Sequence, residues 1–129
     1  MIRILITDDI DGWLKFHANV LKSILGHDLI IDFAYSAWEG YNKVLENNNT
    51  PYDYILTDLQ MENDYEPKYA GEWFVEQIKA LKNFYNTKII IISATYNIRQ
   101  IAENLGVYYI PKSVARVSID AYKELFSIK

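Results

Sequence analysis

Five residues that can handle charge or protons stand just past apolar runs. Asp8 and Asp9 follow Ile2 to Thr7, and Asp58 ends the run Tyr52-Asp53-Tyr54-Ile55-Leu56-Thr57. Ser93 follows Ile89 to Ile92, and Lys112 comes soon after Val107 to Ile110. Three carboxylates in one crevice repel, and at about 4 Å and an effective dielectric near 20 each like-charge pair costs about 4 kcal/mol. Lys112 returns one positive charge, so the set keeps a formal excess of negative charge. A divalent, oxygen-seeking cation balances that excess. Magnesium suits the role, because it takes one or two carboxylates, keeps several waters and then accepts phosphate oxygens. The remaining parts suit phosphoryl transfer. Asp58 can act as the nucleophile and become an aspartyl phosphate. Mg²⁺ and Lys112 neutralise charge on the transferring group, and the Ser93 hydroxyl can bond one of its oxygens.

These residues need elements that carry them to one edge. Ile2 to Thr7 reads as a strand buried on both faces, as parallel sheets require. After the polar turn Asp8-Asp9-Ile10-Asp11-Gly12, the residues Trp13, Phe16, Val20, Leu21 and Ile24 recur at helical spacing, and Gly26 closes that helix. Leu29 to Ala34 is the second strand. Ser36 is placed to cap a second helix with Ala37, Tyr41, Val44 and Leu45 inward. The asparagine-rich loop 47–51 leads to the third strand, and a polar loop from Gln60 to Ala70 follows, longer than the usual βα connection of about 2–6 residues. Gly71 to Leu81 reads as a third helix with Phe74, Ile78 and Leu81 inward. Ile89 to Ile92 belongs at the sheet centre. Ile98, Ile101 and Leu105 mark a short fourth helix, Val107 to Ile110 the fifth strand, and Ile119, Tyr122 and Phe126 the last helix.

Strict β-α alternation, five times over, implies a parallel sheet with right-handed crossovers and helices on both faces. The expected fold is α/β: a flavodoxin-like (βα)5 three-layer sandwich with strand order 2-1-3-4-5 and a switch point between strands 1 and 3. That order sets Asp8, Asp9 and Asp58 side by side.

Composition narrows the function. The 129 residues correspond to one domain, 1–129, and half of them are apolar, which argues against disorder. Cysteine is absent, so disulfides and thiolate metal sites are excluded, and only His17 and His27 could offer zinc a nitrogen ligand. No apolar run approaches the roughly 20 residues of a membrane helix, and the start lacks a signal-peptide layout. A cytoplasmic protein without membrane attachment is expected. The 13 basic and 17 acidic residues give −4, the wrong sign for direct nucleic acid binding.

With these pieces in order, the chain resembles the receiver domain of two-component response regulators. The resemblance rests on Ile-Leu-Ile-Thr-Asp8-Asp9, Tyr-Ile-Leu-Thr-Asp58-Leu-Gln-Met, Ile-Ile-Ile-Ser93-Ala94 and Tyr109-Ile-Pro-Lys112. It implies that a histidine kinase or histidine phosphotransfer protein gives its phosphoryl group to Asp58. It implies Mg²⁺ binding by Asp9, Asp58, the main-chain carbonyl of Gln60, and Asp8 directly or through water. It also implies a coupled switch in which the Ser93 hydroxyl moves toward the phosphoryl group and the Tyr109 ring turns inward. The kinase is expected at the first helix near Trp13 and Leu14. The output face, with a phosphorylation-dependent homodimer, is expected around Arg99, Tyr108 and Arg116. The chain departs from the family pattern in three places. Pro111 precedes Lys112 where members commonly carry a proline after it, the segment from Ser93 to Lys112 is shorter, and the loop after Asp58 is lengthened by residues 62–68, which could partly cover the site. Gln60 and Thr95 occupy the two positions that tune dephosphorylation in the family.

Blander readings exist for each residue alone. Asp8 or Asp9 could cap a helix, Ser93 could do the same, and a lone lysine is most often solvated. Tyr108 and Tyr109 alternate faces, so one should be core and the other half-exposed. Trp13 and His17 read as packed residues of the first helix, with Trp13 also near the site mouth, and His27 as a loop residue. Two other functions fit parts of the chain. Asp9-Ile-Asp11-Gly12 resembles the first motif of haloacid dehalogenase-type phosphatases, with Asp9 as nucleophile and Asp11 as general acid. A receiver that keeps the fold as an unphosphorylated interaction module is the other.

Overall fold

The structure, a computed structural model, describes residues 1–61 and 69–126. Five strands, β1 (Ile2–Thr7), β2 (Leu29–Ala34), β3 (Tyr54–Thr57), β4 (Lys88–Ser93) and β5 (Tyr108–Pro111), form one sheet in the order β2-β1-β3-β4-β5. Every pairing is parallel. The helices are α1 (Asp11–Leu25), α2 (Ala37–Glu46), α3 (Ala70–Lys79), α4 (Ile98–Leu105), α5 (Lys112–Ala115) and α6 (Ile119–Phe126), with a 3-10 turn at Lys82–Phe84. This is the flavodoxin-like arrangement that the alternation of elements predicts.

The strands are apolar at nearly every position because both faces are covered, and their period of two splits the side chains between two cores. Leu5, Ile55, Ile89 and Ile91 pack with α2, α3 and α4. Ile4, Ile6, Leu56, Ile90 and Ile92 pack with α1, α5 and α6. Register then sets the chemistry. Thr7 pairs with Thr57, so Asp8 and Asp58 leave the same edge together. Ser93 pairs with Pro111, so Lys112 emerges beside the end of β4.

Several expected boundaries and faces are corrected. The buried line of α1 is Leu14, His17, Ala18 and Leu21, whereas Trp13, Phe16, Val20 and Ile24 flank it. A histidine can occupy that line because its Nδ1 lies 2.8 Å from the Tyr122 hydroxyl, which satisfies both buried polar groups. In α2 the Ser36 cap is present, its Oγ accepting from the Glu39 N–H at 3.1 Å. Leu45, however, points out and is 44% exposed. Gly40 turns that helix: it faces Phe74 and Thr7 so closely that a Cβ there would lie 2.9 Å from the Phe74 ring. The line Ala37, Gly40, Val44 therefore faces inward.

β3 is shorter than the run Tyr52 to Asp58. The Tyr52 hydroxyl donates to Asp32 at 2.6 Å, and the Asp53 carboxylate accepts the Arg3 N–H at 2.9 Å. α3 ends at Lys79, and the Leu81 N–H bonds the Ile78 carbonyl at 2.9 Å in the turn beyond it. β5 begins and ends one residue later than its apolar run. Ile119, expected inward, is 40% exposed at the start of α6, while Tyr122 and Phe126 are fully buried. The lengthened segment 62–68 lies outside the described residues. Among the described residues, no helix is long and apolar enough to cross a membrane.

Candidate functional site

The site sits at the carboxyl ends of β1, β3, β4 and β5. Asp8 leaves β1 with its N–H bonded to the Ala34 carbonyl of β2, and Asp58 leaves β3 with its N–H bonded to the Thr7 carbonyl of β1. Each carboxylate is then divided in the same way. One oxygen takes a nearby main-chain N–H: Ile10 for Asp8 at 2.9 Å and Leu59 for Asp58 at 2.7 Å. The other faces Lys112, whose Nζ donates to Asp58 Oδ2 at 2.9 Å and forms an ion pair with Asp8 Oδ2 at 3.0 Å. Asp8, Asp58 and Lys112 are all buried.

The lysine reaches both acids from the first residue of α5, directly after Pro111. The changed position of the proline leaves the ammonium at the acids all the same.

Charge is unevenly balanced here. Burial pushes the Asp8 carboxyl above its ordinary range and Asp58 adds to that, while the Ile10 N–H and Lys112 pull it back without cancelling it. Burial also works against the Lys112 ammonium, but Asp58 and Asp8 outweigh it and hold the amine above the usual lysine value. Asp9 is half-buried at the mouth. Asp8, Asp9 and Asp58 each bring an oxygen to within 4.8 Å of the others. Three hard carboxylate donors converge and one ammonium falls short of neutralising them, so the donor set fits a small divalent cation such as Mg²⁺.

A cleft of about 830 Å³ opens from these acids. Asp9, Asp58, Gln60 and Lys112 line it, together with Asn97, which precedes α4, and Gln100 and Asn104 of α4. Gln60 is exposed on its wall. Ser93 is fully buried at the end of β4, where its Oγ lies 2.9 Å from the Thr95 hydroxyl and accepts the Thr95 N–H at 3.3 Å. Tyr109 is partly buried against the α2–α4 core, and Tyr108 is half-exposed beneath Lys88, whose Nζ stands 4.6 Å from the ring centre.

Other expected residues are dispersed. Leu14 is fully buried, so it presents no surface to a partner. Exposed Arg99 pairs with Glu103 on α4, whereas Arg116 stands 5.7 Å from the Trp13 ring, on the α1 side of the sheet. His27 is an exposed loop residue.

Three features escaped the sequence reading. Gly71 packs on the main chain of Asp58, where a Cβ would meet the Asp58 carbonyl oxygen at 2.1 Å. Trp13 faces Lys112, with Nζ 5.0 Å from the ring centre. Thr95 holds the Ser93 hydroxyl. Only a glycine opening the third helix hinted at the first. The other two are contacts that spacing cannot reveal.

No protein-family model and no curated protein matches the sequence. Solved structures do match in fold. The chain is similar to chemotaxis protein CheY4 of Vibrio cholerae, at 15% identity, covering 98% of this chain and 97% of that one with a TM-score of 0.74. It is similar to a response regulator receiver domain protein from Clostridium thermocellum, at 23% identity, covering 98% and 95% with a TM-score of 0.72. It is also similar to the signal receiver domain of a DNA-binding response regulator from Colwellia psychrerythraea 34H, at 18% identity, covering 99% and 100% with a TM-score of 0.74. From its sheet order to its full length, the chain has the fold of the response regulator receiver domains.

Proposed function

We propose that residues 1–129 form a phosphorylatable receiver domain of two-component signalling, which takes a phosphoryl group from a histidine kinase or histidine phosphotransfer protein onto Asp58. The observation that carries this reading is the bridging of Asp58 and Asp8 by Lys112 Nζ, at 2.9 and 3.0 Å, at the sheet's switch point. An Asp58 carboxylate oxygen attacks phosphorus, the bond from phosphorus to the donor nitrogen breaks, and the electron pair leaves with the histidine. Asp8, Asp9, Asp58 and the main-chain carbonyl of Gln60 would hold Mg²⁺, which would supply charge neutralisation to the phosphoryl oxygens. Lys112 exchanges part of its pairing with Asp58 for an oxygen of the phosphoryl group. Ser93 leaves Thr95 to bond another, and Tyr109 turns into the space behind it.

The domain acts as a cytoplasmic switch rather than as an enzyme with turnover on a separate substrate. Its output passes to a partner or a second phosphorylated copy, without direct contact to nucleic acid. Asp11 speaks against the phosphatase reading. It accepts from Lys15 and from the Tyr35 hydroxyl, and these contacts lower its carboxyl below the ordinary range, the wrong direction for a general acid. Incubation with Mg²⁺ and a small acyl phosphate, followed by intact mass, tests the proposal. Wild type should gain one phosphoryl group, and Asp58→Ala, or wild type without Mg²⁺, should gain none. Equal gain by wild type and Asp58→Ala would overturn it.

A further inference from the structure

We propose that Trp13 is a positioning residue that holds the Lys112 ammonium at the phosphoryl-transfer site, an inference that rests on the reading of that site given above. Lys112 Nζ contacts two carboxylates, at 2.9 and 3.0 Å, and stands 5.0 Å from the centre of the Trp13 ring. Tryptophan offers the strongest aromatic face for a cation. The need for a second hold follows from the side chain itself. A lysine is a point charge on a flexible four-carbon stem, and fixing it costs rotamer entropy. The carboxylates that fix it here are the groups that must also serve a metal and an incoming phosphoryl group. When their charge is shared, their grip on the ammonium weakens. The ring takes part in neither event, so its hold persists.

The ring is itself fixed. Phe16 meets it edge-on at 5.4 Å, and His17 lies beside it at 5.3 Å. His17 is pinned in turn by the Tyr122 hydroxyl at 2.8 Å. Arg116, at the C-terminal end of α5, sits 5.7 Å from the same ring, so both ends of this short helix rest on one aromatic plate. That arrangement explains how Lys112 is aimed although Pro111 precedes it.

Trp13→Phe keeps an aromatic face, and Trp13→Leu keeps apolar bulk without one. Two readouts separate positioning from packing. In NMR spectra of the free protein, the Lys112 ε-methylene protons should be shifted upfield by the ring, partly so in Trp13→Phe and not at all in Trp13→Leu. With acetyl phosphate and Mg²⁺, Trp13→Leu should be phosphorylated about tenfold more slowly, and Trp13→Phe within about threefold of wild type, the range expected for a partly desolvated cation–aromatic contact. A wild-type rate in Trp13→Leu would overturn the proposal. So would equal slowing in both variants in step with their melting temperatures. If wild type takes up no phosphoryl group, the receiver reading fails and the kinetic role of Trp13 fails with it. The proton shifts then decide the contact alone, and identical Lys112 shifts in wild type and Trp13→Leu refute it.

Discussion

Gly71 is pressed so closely onto Asp58 that a Cβ added to it would stand 2.1 Å from the Asp58 carbonyl oxygen and 2.6 Å from the Leu59 Cα. The Gly71 N–H bonds the Leu59 carbonyl at 2.9 Å, so the start of α3 is built directly on the turn that carries the candidate acceptor. Neither neighbour is the end of a flexible side chain, and relief requires main-chain movement. Gly71→Ala should destabilise the fold by about 2 kcal/mol, within the range for overpacking, and should slow phosphorylation more than a distant variant of equal stability does. Denaturant unfolding and intact mass check both parts.

Lys112 is the counter-ion shared by two buried acids, so its loss leaves both without that partner. Lys112→Met keeps the stem and should cost about 3 kcal/mol in the absence of metal, as for a broken buried ion pair. Millimolar Mg²⁺ should recover part of that loss, because a ligand of the native state stabilises it. Urea unfolding with and without Mg²⁺ measures this, and an unchanged midpoint in metal-free buffer would show that Lys112 is not the counter-ion described.

His17 gives a pH dependence with a definite sign. Burial, helped by the charge of Lys112, lowers its pKa to about 3. In the unfolded chain an ordinary histidine binds a proton near pH 6.5. Between those values the unfolded state is protonated and the native state is not, so the contribution is complete above about pH 6.5 and is lost as pH falls, at about 1.4 kcal/mol per unit. The stability difference between wild type and His17→Gln should therefore grow from pH 4 to about 6.5 and stay level above it. A difference that is flat from pH 4 to 8 would contradict a buried neutral imidazole.

Thr95 is the side-chain partner of a hydroxyl with no access to water. Thr95→Val preserves shape and removes the 2.9 Å contact with Ser93 Oγ. A loss of about 1 kcal/mol is expected, typical of one buried hydrogen bond. Thermal unfolding beside Ser93→Ala checks it: the double variant should be less destabilised than the two single effects combined, because both remove the same bond.

The sheet order and the edge that carries Asp8, Asp58, Ser93 and Lys112 were legible because parallel strands leave long apolar runs and these four residues stand just past four of them. Helix faces were less legible. His17 lies inward because Tyr122, on a distant part of the chain, satisfies it, and Leu45 lies outward because Gly40 lets α2 turn its bare side to Phe74. Periodicity ranks residues by apolarity and so misplaces a paired histidine and a packed glycine. Trp13 above Lys112 and Gly71 beneath Asp58 depend on close approach between elements far apart in sequence, which composition does not encode.

The most direct test is to find the residue that carries the phosphoryl group. After reaction with acetyl phosphate and Mg²⁺, borohydride reduction converts an aspartyl phosphate to homoserine, and peptide mass mapping locates it. Homoserine at position 58 alone is the predicted result. Homoserine at position 9, or at neither position in protein that gained the mass, would contradict Asp58 as the acceptor.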